Sequence, residues 1–415
     1  MLNLTIKQDR VRLNPRDPDF YNNPYKYYAF LREHAPIFYW EDFGLYCFLN
    51  HDDIHALLRE KRLGRQITHL YSREALGWEP ERQDLRAFIE VDRHSLLELE
   101  PPAHTRLRAL IHKAFVAKNI EYMRPAMTER CENLLDQLAE AIVSNGKANL
   151  KELYATPLPV WTIADMLNVP LEKSPQLLDW SHAMVAMYEL GRTPAQEKLA
   201  VQAAEEFTAY AKALIAERRL APGDDLISML VQVEVDGEHL SEDEVVSTVI
   251  LALNAGHEAT VNVIANGVYA LLKNPTQWQA LLADAALVRP AVEELLRFDT
   301  PLHLFTRYVL EDFEYKGISL KVGQQIAVLL GAGNHDPARF EQPACLDITR
   351  NPNPQDSFGG GIHYCVGAPL ARLELAIAIP LLLKRFPNLQ LAEEPIWRNS
   401  WHFRGVEALW VTNPH

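Results

Sequence analysis

Cys365 is the residue of this chain best placed to do chemistry. It lies in F-G-G-G-I-H-Y-C-V-G-A-P-L-A-R-L-E, residues 358–374. Three consecutive glycines, Gly359 to Gly361, let the backbone turn tightly and approach a flat or bulky partner. Behind the cysteine, Pro369 suits a first helical turn, and Leu370, Leu373, Ile377 and Leu381 recur at helical spacing. A thiol at the mouth of a helix sits where negative charge is stabilised, which favours a thiolate, and a metal-ligating thiolate is one reading of the loop. Free cysteine is also among the most buried residue types, so a small core residue is the competing reading of the same loop.

A second constellation, A-G-H-E-A-T at 255–260, interrupts a long apolar run. Glycine inside a helix costs about 1 kcal/mol against alanine, and a buried carboxylate costs more unless partnered. Glu258 then either pairs with a core arginine, with Thr260 bonding back to the preceding turn, or stands in a groove that a ligand approaches. Helix defects gather at functional sites, which favours the groove. Two charged pairs complete the set. His104 and Arg108, in H-T-R-L-R, stand four apart and read as a solvated basic face. Glu294 and Arg297, in E-L-L-R, stand three apart and read as a surface ion pair of small value.

Elements must hold these residues in place. Ser241 with Glu244 forms a capping box, and a helical pattern runs on to Lys273. About 32 residues at the standard rise span roughly 48 Å, enough to cross a domain. Further helices are expected at 24–34, 52–60, 101–115, 120–143, 156–168, 175–190, 194–219, 225–233, 275–284 and 290–298. Short strands are expected at 37–40, 45–49, within 305–330 and in the tail from 388. Residues 61–100 read as an irregular, partly helical connection. No repeat or linker divides the chain, which predicts one domain over 1–415.

The net charge of −14 and the lack of a Lys/Arg tract argue against nucleic acid. Cys47, Cys131, Cys345 and Cys365 are scattered with no C-x-x-C pair, as expected of free thiols in a reducing compartment. The first residues lack an apolar run, so a cytoplasmic protein with no membrane anchor is expected.

Phe358, Gly361, His363, Cys365 and Gly367 form F-x-x-G-x-H-x-C-x-G, which closely resembles the haem-binding loop of the cytochrome P450 family. The order and spacing of the other motifs resemble that family over essentially the whole chain. The resemblance implies a mainly α fold with small β-sheets, a triangular prism holding haem b between the long central helix and the cysteine-loop helix. It implies Cys365 as the iron ligand, tempered by backbone N–H groups around Val366 and Gly367. His104, Arg108, Arg307 and His363 would neutralise the haem propionates, and Glu294 and Arg297 would form a buried network with Arg350. Ala255 and Gly256 would leave room for dioxygen and substrate, and Glu258 would relay protons.

Two departures stand out. The family's usual acid–threonine pair is here Glu258–Ala259, with Thr260 one place on and about 100° around the helix. A substrate hydroxyl or an ordered water would then complete the relay. The segment before H-T-R-L-R reads E-P-P where D-P-P is commoner, a minor change.

The implied activity inserts an oxygen atom of O2 into a hydrophobic small molecule. The chain has no G-x-G-x-x-G unit and no iron–sulfur signature, so no flavin or cluster is expected in it. Electrons would come from a ferredoxin and an NAD(P)H-dependent reductase, docked over Arg106, Lys113 and Arg372. By position, Leu251, Ala255, Leu302, Leu304, Trp401, Phe403, Met184 and Met187 would line the substrate pocket, together with Tyr188 and the stretch from Phe88 to Leu97. His303 and His402 are expected in solvent or in structural hydrogen bonds. A peroxide-driven or nitric-oxide-reducing relative and a non-catalytic haem carrier stay open as alternatives.

Overall fold

The computed structural model describes residues 2–115, 117–235 and 237–414. Its central element is the helix Glu242–Lys273. Ser241 Oγ accepts from the Glu244 N–H at 3.2 Å, and the Glu244 carboxylate accepts from the Ser241 N–H at 2.8 Å. That box satisfies two donors that a helix start would otherwise leave bare. Val249, Leu253, Val263, Ile264 and Val268 are buried along its length. The helices Pro157–Leu167, Ser174–Val185, Pro194–Leu220, Val288–Phe298 and Ala368–Arg385 pack around it, the last being the cysteine-loop helix.

One expected helix is split. Ala117–Tyr122 ends before Met123, and Arg124–Asn145 starts anew with Pro125 in its first turn, where a missing N–H does no harm. The irregular connection holds the strand Leu63–Gly64 and the helix Arg86–Arg93.

A seven-stranded mixed sheet flanks the helices. Its order is Thr5–Lys7, Arg10–Arg12, Ile37–Trp40, Leu45–Phe48, Gln325–Val328, Phe305–Val309 and Leu63–Gly64. At the far edge Leu63 pairs with Val309 and Gly64 with Tyr308, antiparallel. Continuing that register by one residue sets Arg65 opposite Arg307, which brings two cations from distant sequence to one sheet edge. Among the described residues, no helix is long and apolar enough to cross a membrane.

The surface reading of Glu294 and Arg297 does not hold, because both are fully buried. Arg297 grips both oxygens of Glu294 at 2.7 and 2.8 Å. Arg350, Asn353 and the Asp347 N–H also donate to that carboxylate. The rest of the Arg297 guanidinium donates to the carbonyls of Asn334, Pro343 and Cys345. Asn334 then ties to Ser357 and to the Asp356 N–H, so the network reaches the start of the cysteine loop.

Removing the anion would leave two arginines facing each other in the core. Glu294→Ala should therefore cost about 3–5 kcal/mol, the range for breaking a buried pair, read as a lowered denaturant midpoint. The same change at exposed Glu314 should stay within about 0.5 kcal/mol.

Candidate active site

The backbone of the cysteine loop is tied at several points. The Cys365 N–H donates to the Phe358 carbonyl at 3.0 Å, and the Gly359 N–H to that of Asp356 at 2.8 Å. Gly361 has φ +67°, and a side chain there would collide with the Leu58 carbonyl, so only glycine fits. Gly367 is different: a Cβ there would lie 3.8 Å from Cys365 Sγ, an ordinary contact. Phe358 packs under the Arg372 guanidinium, 4.5 Å from its ring centre.

Gly367 is the N-cap of the helix Ala368–Arg385. The Cys365 sulfur accepts from the N–H groups of Gly367 and Ala368, one step further along than the expected Val366 and Gly367. Burial pushes the thiol's pKa up; the two N–H groups and the charges of Arg108 and Arg372 pull against that rise. The sulfur is thus a half-buried ligand atom with anion stabilisers already around it.

Nearby, basic side chains from several elements converge. The His104 and His363 rings lie 4.5 Å apart, and Arg108 donates to the Tyr364 carbonyl at 2.7 Å. Arg307, on the sheet edge, is 4% exposed, and burial pushes its pKa down to about 9, helped by Arg65. His104 is 1% exposed, and neither ring nitrogen has a hydrogen-bond partner. Its pKa is pushed down to about 4 by burial, with the charges of His363 and Arg108 adding to the effect. A buried imidazole with two idle nitrogens is costly unless an anion is to be met there.

Sequence reasoning missed two members of this cluster. Arg65 donates to the Thr306 carbonyl at 3.2 Å and pairs with Glu98. Glu100, treated above as a minor change, accepts from His363 at 3.1 Å and from the Arg65 N–H. Burial alone would raise the Glu100 carboxyl, but those donors outweigh it and hold it low. Gly64 makes room for it, since a Cβ would lie 3.0 Å from its carboxylate. The register that sets Arg65 near Arg307 exists only in the folded sheet, so the sequence held no clear signal for it.

On the central helix, Ala255 is exposed and Leu251, Ala252 and Ala259 are half-buried. Spacings of three and four put these residues on one face. Thr260 is buried away from it and donates to the Gly256 carbonyl at 3.2 Å. Gly256 serves close packing, since a Cβ would lie 2.8 Å from Ile163 Cδ1.

Glu258 is 3% exposed and pairs with Arg398, so the reading of an acid matched to an arginine holds for its ground state, although that arginine is half-buried and not in the core. Its other oxygen lies 3.3 Å from His182 Nε2 and 3.7 Å from His257 Nε2. Burial would raise its pKa, but the His182 hydrogen bond and the Arg398 charge outweigh that and keep it ionised.

The expected pocket is only partly assembled. Leu302 and Phe403 are half-buried and bridged to each other. Leu304 and Trp401 instead belong to an aromatic core under the N-terminal strands, where Trp401 packs on Phe20 and Trp40 and donates to the Tyr28 hydroxyl. Their apolar character is spent on packing. Met184 and Met187 are buried in the helical core. His303 is fully buried and bonds to the Tyr28 hydroxyl at 2.7 Å, away from solvent.

The expected docking cations are also engaged. Arg106 pairs with Glu244 and Glu238, Arg372 with Glu293, and Lys113 donates to the Glu234 carbonyl.

A thiol with preset anion stabilisers beside a buried cationic cluster fits a group that carries a thiolate-binding metal and two carboxylates, as haem does. A family model described as cytochrome P450 matches residues 76–400, and the chain belongs to that family. It is a monooxygenase of the bacterial type. The polyketide biosynthesis cytochrome P450 PksS of Bacillus subtilis (strain 168) is 37% identical over 414 residues, covering 97% of this chain and 99% of its own. The biotin biosynthesis cytochrome P450 of the same organism is 36% identical over 400 residues, covering 95% and 97%. Among solved structures, P450BioI in complex with hexadec-9Z-enoic acid ligated acyl carrier protein superposes with a TM-score of 0.88 at 34% identity, covering 96% and 99%.

His104 and His402 are both held at about 4, and His363 is also lowered, against an unfolded value near 6.5. The unfolded chain therefore binds more protons across that window. Stability of the haem-free protein should be full above about pH 6.5 and fall as pH drops toward 4. Haem carboxylates would raise His104 and flatten the fall. Thermal midpoints of haem-free and haem-loaded protein between pH 7 and pH 5 check this, with the larger loss expected without haem.

Proposed function

We propose that this single-domain enzyme binds haem b through Cys365 and inserts one oxygen atom of O2 into a hydrophobic small molecule. Bound there, haem supplies dioxygen activation, with thiolate ligation favouring O–O cleavage. The observation that carries the reading is the Cys365 sulfur held by two helix-start N–H groups beside a cluster of buried basic side chains.

Each residue then has a task. Phe358 and Gly361 shape the loop, and the N–H groups of Gly367 and Ala368 steady the sulfur anion. His104, Arg108, Arg307 and His363 neutralise the propionates by charge-assisted bonds. Arg65 adds a further cation at that edge. Ala255 and Ala259 keep the face of the central helix low, so substrate can lie close. Glu258, released from Arg398, moves protons from the His182 side toward that face. Ala259 has no hydroxyl to pass them on, so a substrate hydroxyl or an ordered water takes that place. Thr260 is turned away and takes no direct part.

Electrons are supplied by a ferredoxin and an NAD(P)H-dependent reductase, with no flavin or cluster in this chain. Free thiols at Cys47, Cys131 and Cys345 suit the reducing cytoplasm. The half-buried apolar side chains Leu251, Leu302 and Phe403 support a hydrophobic substrate. Polyketide intermediates and fatty acyl chains, named with the relatives above, are the first compounds to try.

Two measurements test this. A spectral titration against such compounds should move the iron from low to high spin for the true substrate, and turnover under labelled dioxygen should place one labelled atom in the product. Labelled water as the oxygen source, or turnover indifferent to ferredoxin, would overturn the reading. Ala259→Thr should crowd the same face and weaken substrate binding roughly tenfold, about 1.4 kcal/mol. It should also change the ratio of product to NAD(P)H consumed. A variant matching the parent in affinity, rate and peroxide leakage would remove the support for a substituted relay.

A further inference from the structure

Two histidines and the central acid pose a problem that the monooxygenase reading does not solve. His257 is fully buried, and its Nδ1 lies 3.0 Å from the Leu253 carbonyl. A carbonyl can only accept, so Nδ1 carries the proton and Nε2 presents a bare lone pair. That Nε2 has no hydrogen-bond partner. It faces Glu258 Oε2 at 3.7 Å, and that oxygen is an acceptor too. Two acceptors facing each other out of water want a cation between them.

His182 Nε2 stands 3.3 Å from the same oxygen, and its side chain is 52% exposed, which opens a route from solvent. The three ligand atoms all lie within 4.8 Å of one another. Tetrahedral ligands about 2.0–2.1 Å from a zinc ion stand roughly 3.3–3.4 Å apart, so separations of 3.3 and 3.7 Å need little adjustment. The His257 tautomer is also right, since a ligating histidine commonly donates its other N–H to a backbone carbonyl.

We propose that His182, His257 and Glu258 form a site for one first-row divalent cation, Zn2+ foremost, that locks the acid in place. Imidazole and carboxylate ligands suit zinc, with water in the fourth position on the exposed His182 side. Arg398 occupies the other carboxylate oxygen, and its charge lowers affinity for the ion. The site is therefore reversible and regulatory, filled when free metal rises. Once held by the ion, Oε2 can no longer take a proton from solvent.

A second His/Asp group, His51, His55 and Asp356, has comparable spacing but the wrong proton. His51 Nε2 donates to the Pro354 carbonyl at 2.8 Å, so no lone pair faces Asp356.

The test uses the haem-loaded full chain and Zn2+ itself. Equilibrium dialysis should give one reversibly bound zinc per chain, and anomalous diffraction at the zinc edge should place it among His182, His257 and Glu258. His182→Asn should weaken binding by about ten- to a hundredfold or more, and His55→Asn should leave it unchanged. Zinc should inhibit turnover of the parent, reversibly by chelator, and spare His182→Asn. No peak at these three residues, a peak only at His51 and Asp356, or unchanged binding in His182→Asn would overturn the site. The effect on turnover rests on the proposed role of Glu258. Zinc seated there with turnover intact would sink that role and leave the site standing.

Discussion

Negative charge cannot be buried unless positive charge or N–H groups are built around it, and that constraint organises this protein. A sulfur anion at Cys365 and two carboxylates beside it would each be costly in an apolar interior. The chain meets that cost from widely separated parts. A helix start gives two N–H groups to the sulfur. A sheet edge brings Arg65 opposite Arg307, and His104, Arg108 and His363 come from other elements. His104, buried with both nitrogens idle, shows that this cluster is shaped for an anion.

The cysteine loop keeps its shape through a second polar system. Glu294 and Arg297 close each other's charge in the core, and Arg297 reaches three backbone carbonyls beyond. Through Asn334 the same system holds Asp356 and Ser357, and Ser357 bonds back to the Leu296 carbonyl. Phe358 follows directly, and its carbonyl receives the Cys365 N–H. A buried ion pair is weak evidence for stability by itself. Here its use is positional, because each donor and acceptor ends on backbone leading to the sulfur.

How much of this was legible depended on the range of the interaction. The central helix could be read to its ends because its cap and its apolar pattern are local, as was the helix behind Pro369. Pro125 could have been read too, and overlooking it merged two helices. The Glu294–Arg297 pair looked superficial because spacing says nothing about depth; only the tertiary fold buries it. Arg65 and Glu100 were hidden for the same reason, since a two-residue strand in an irregular stretch leaves almost no pattern. Leu304 and Trp401 misled because an apolar side chain near a pocket and one in the core look alike in sequence. Gly256 lay on the expected helix, but the neighbour it makes room for is Ile163.

The central claim is that Cys365 holds haem iron as a thiolate, and the spectrum of the reduced protein with carbon monoxide tests it most directly. The account predicts the long-wavelength absorption that defines cytochrome P450, lost in a folded Cys365→Ala variant. An adduct absorbing like histidine-bound haem, or a Cys365→Ala protein that kept the parent's band, would contradict it.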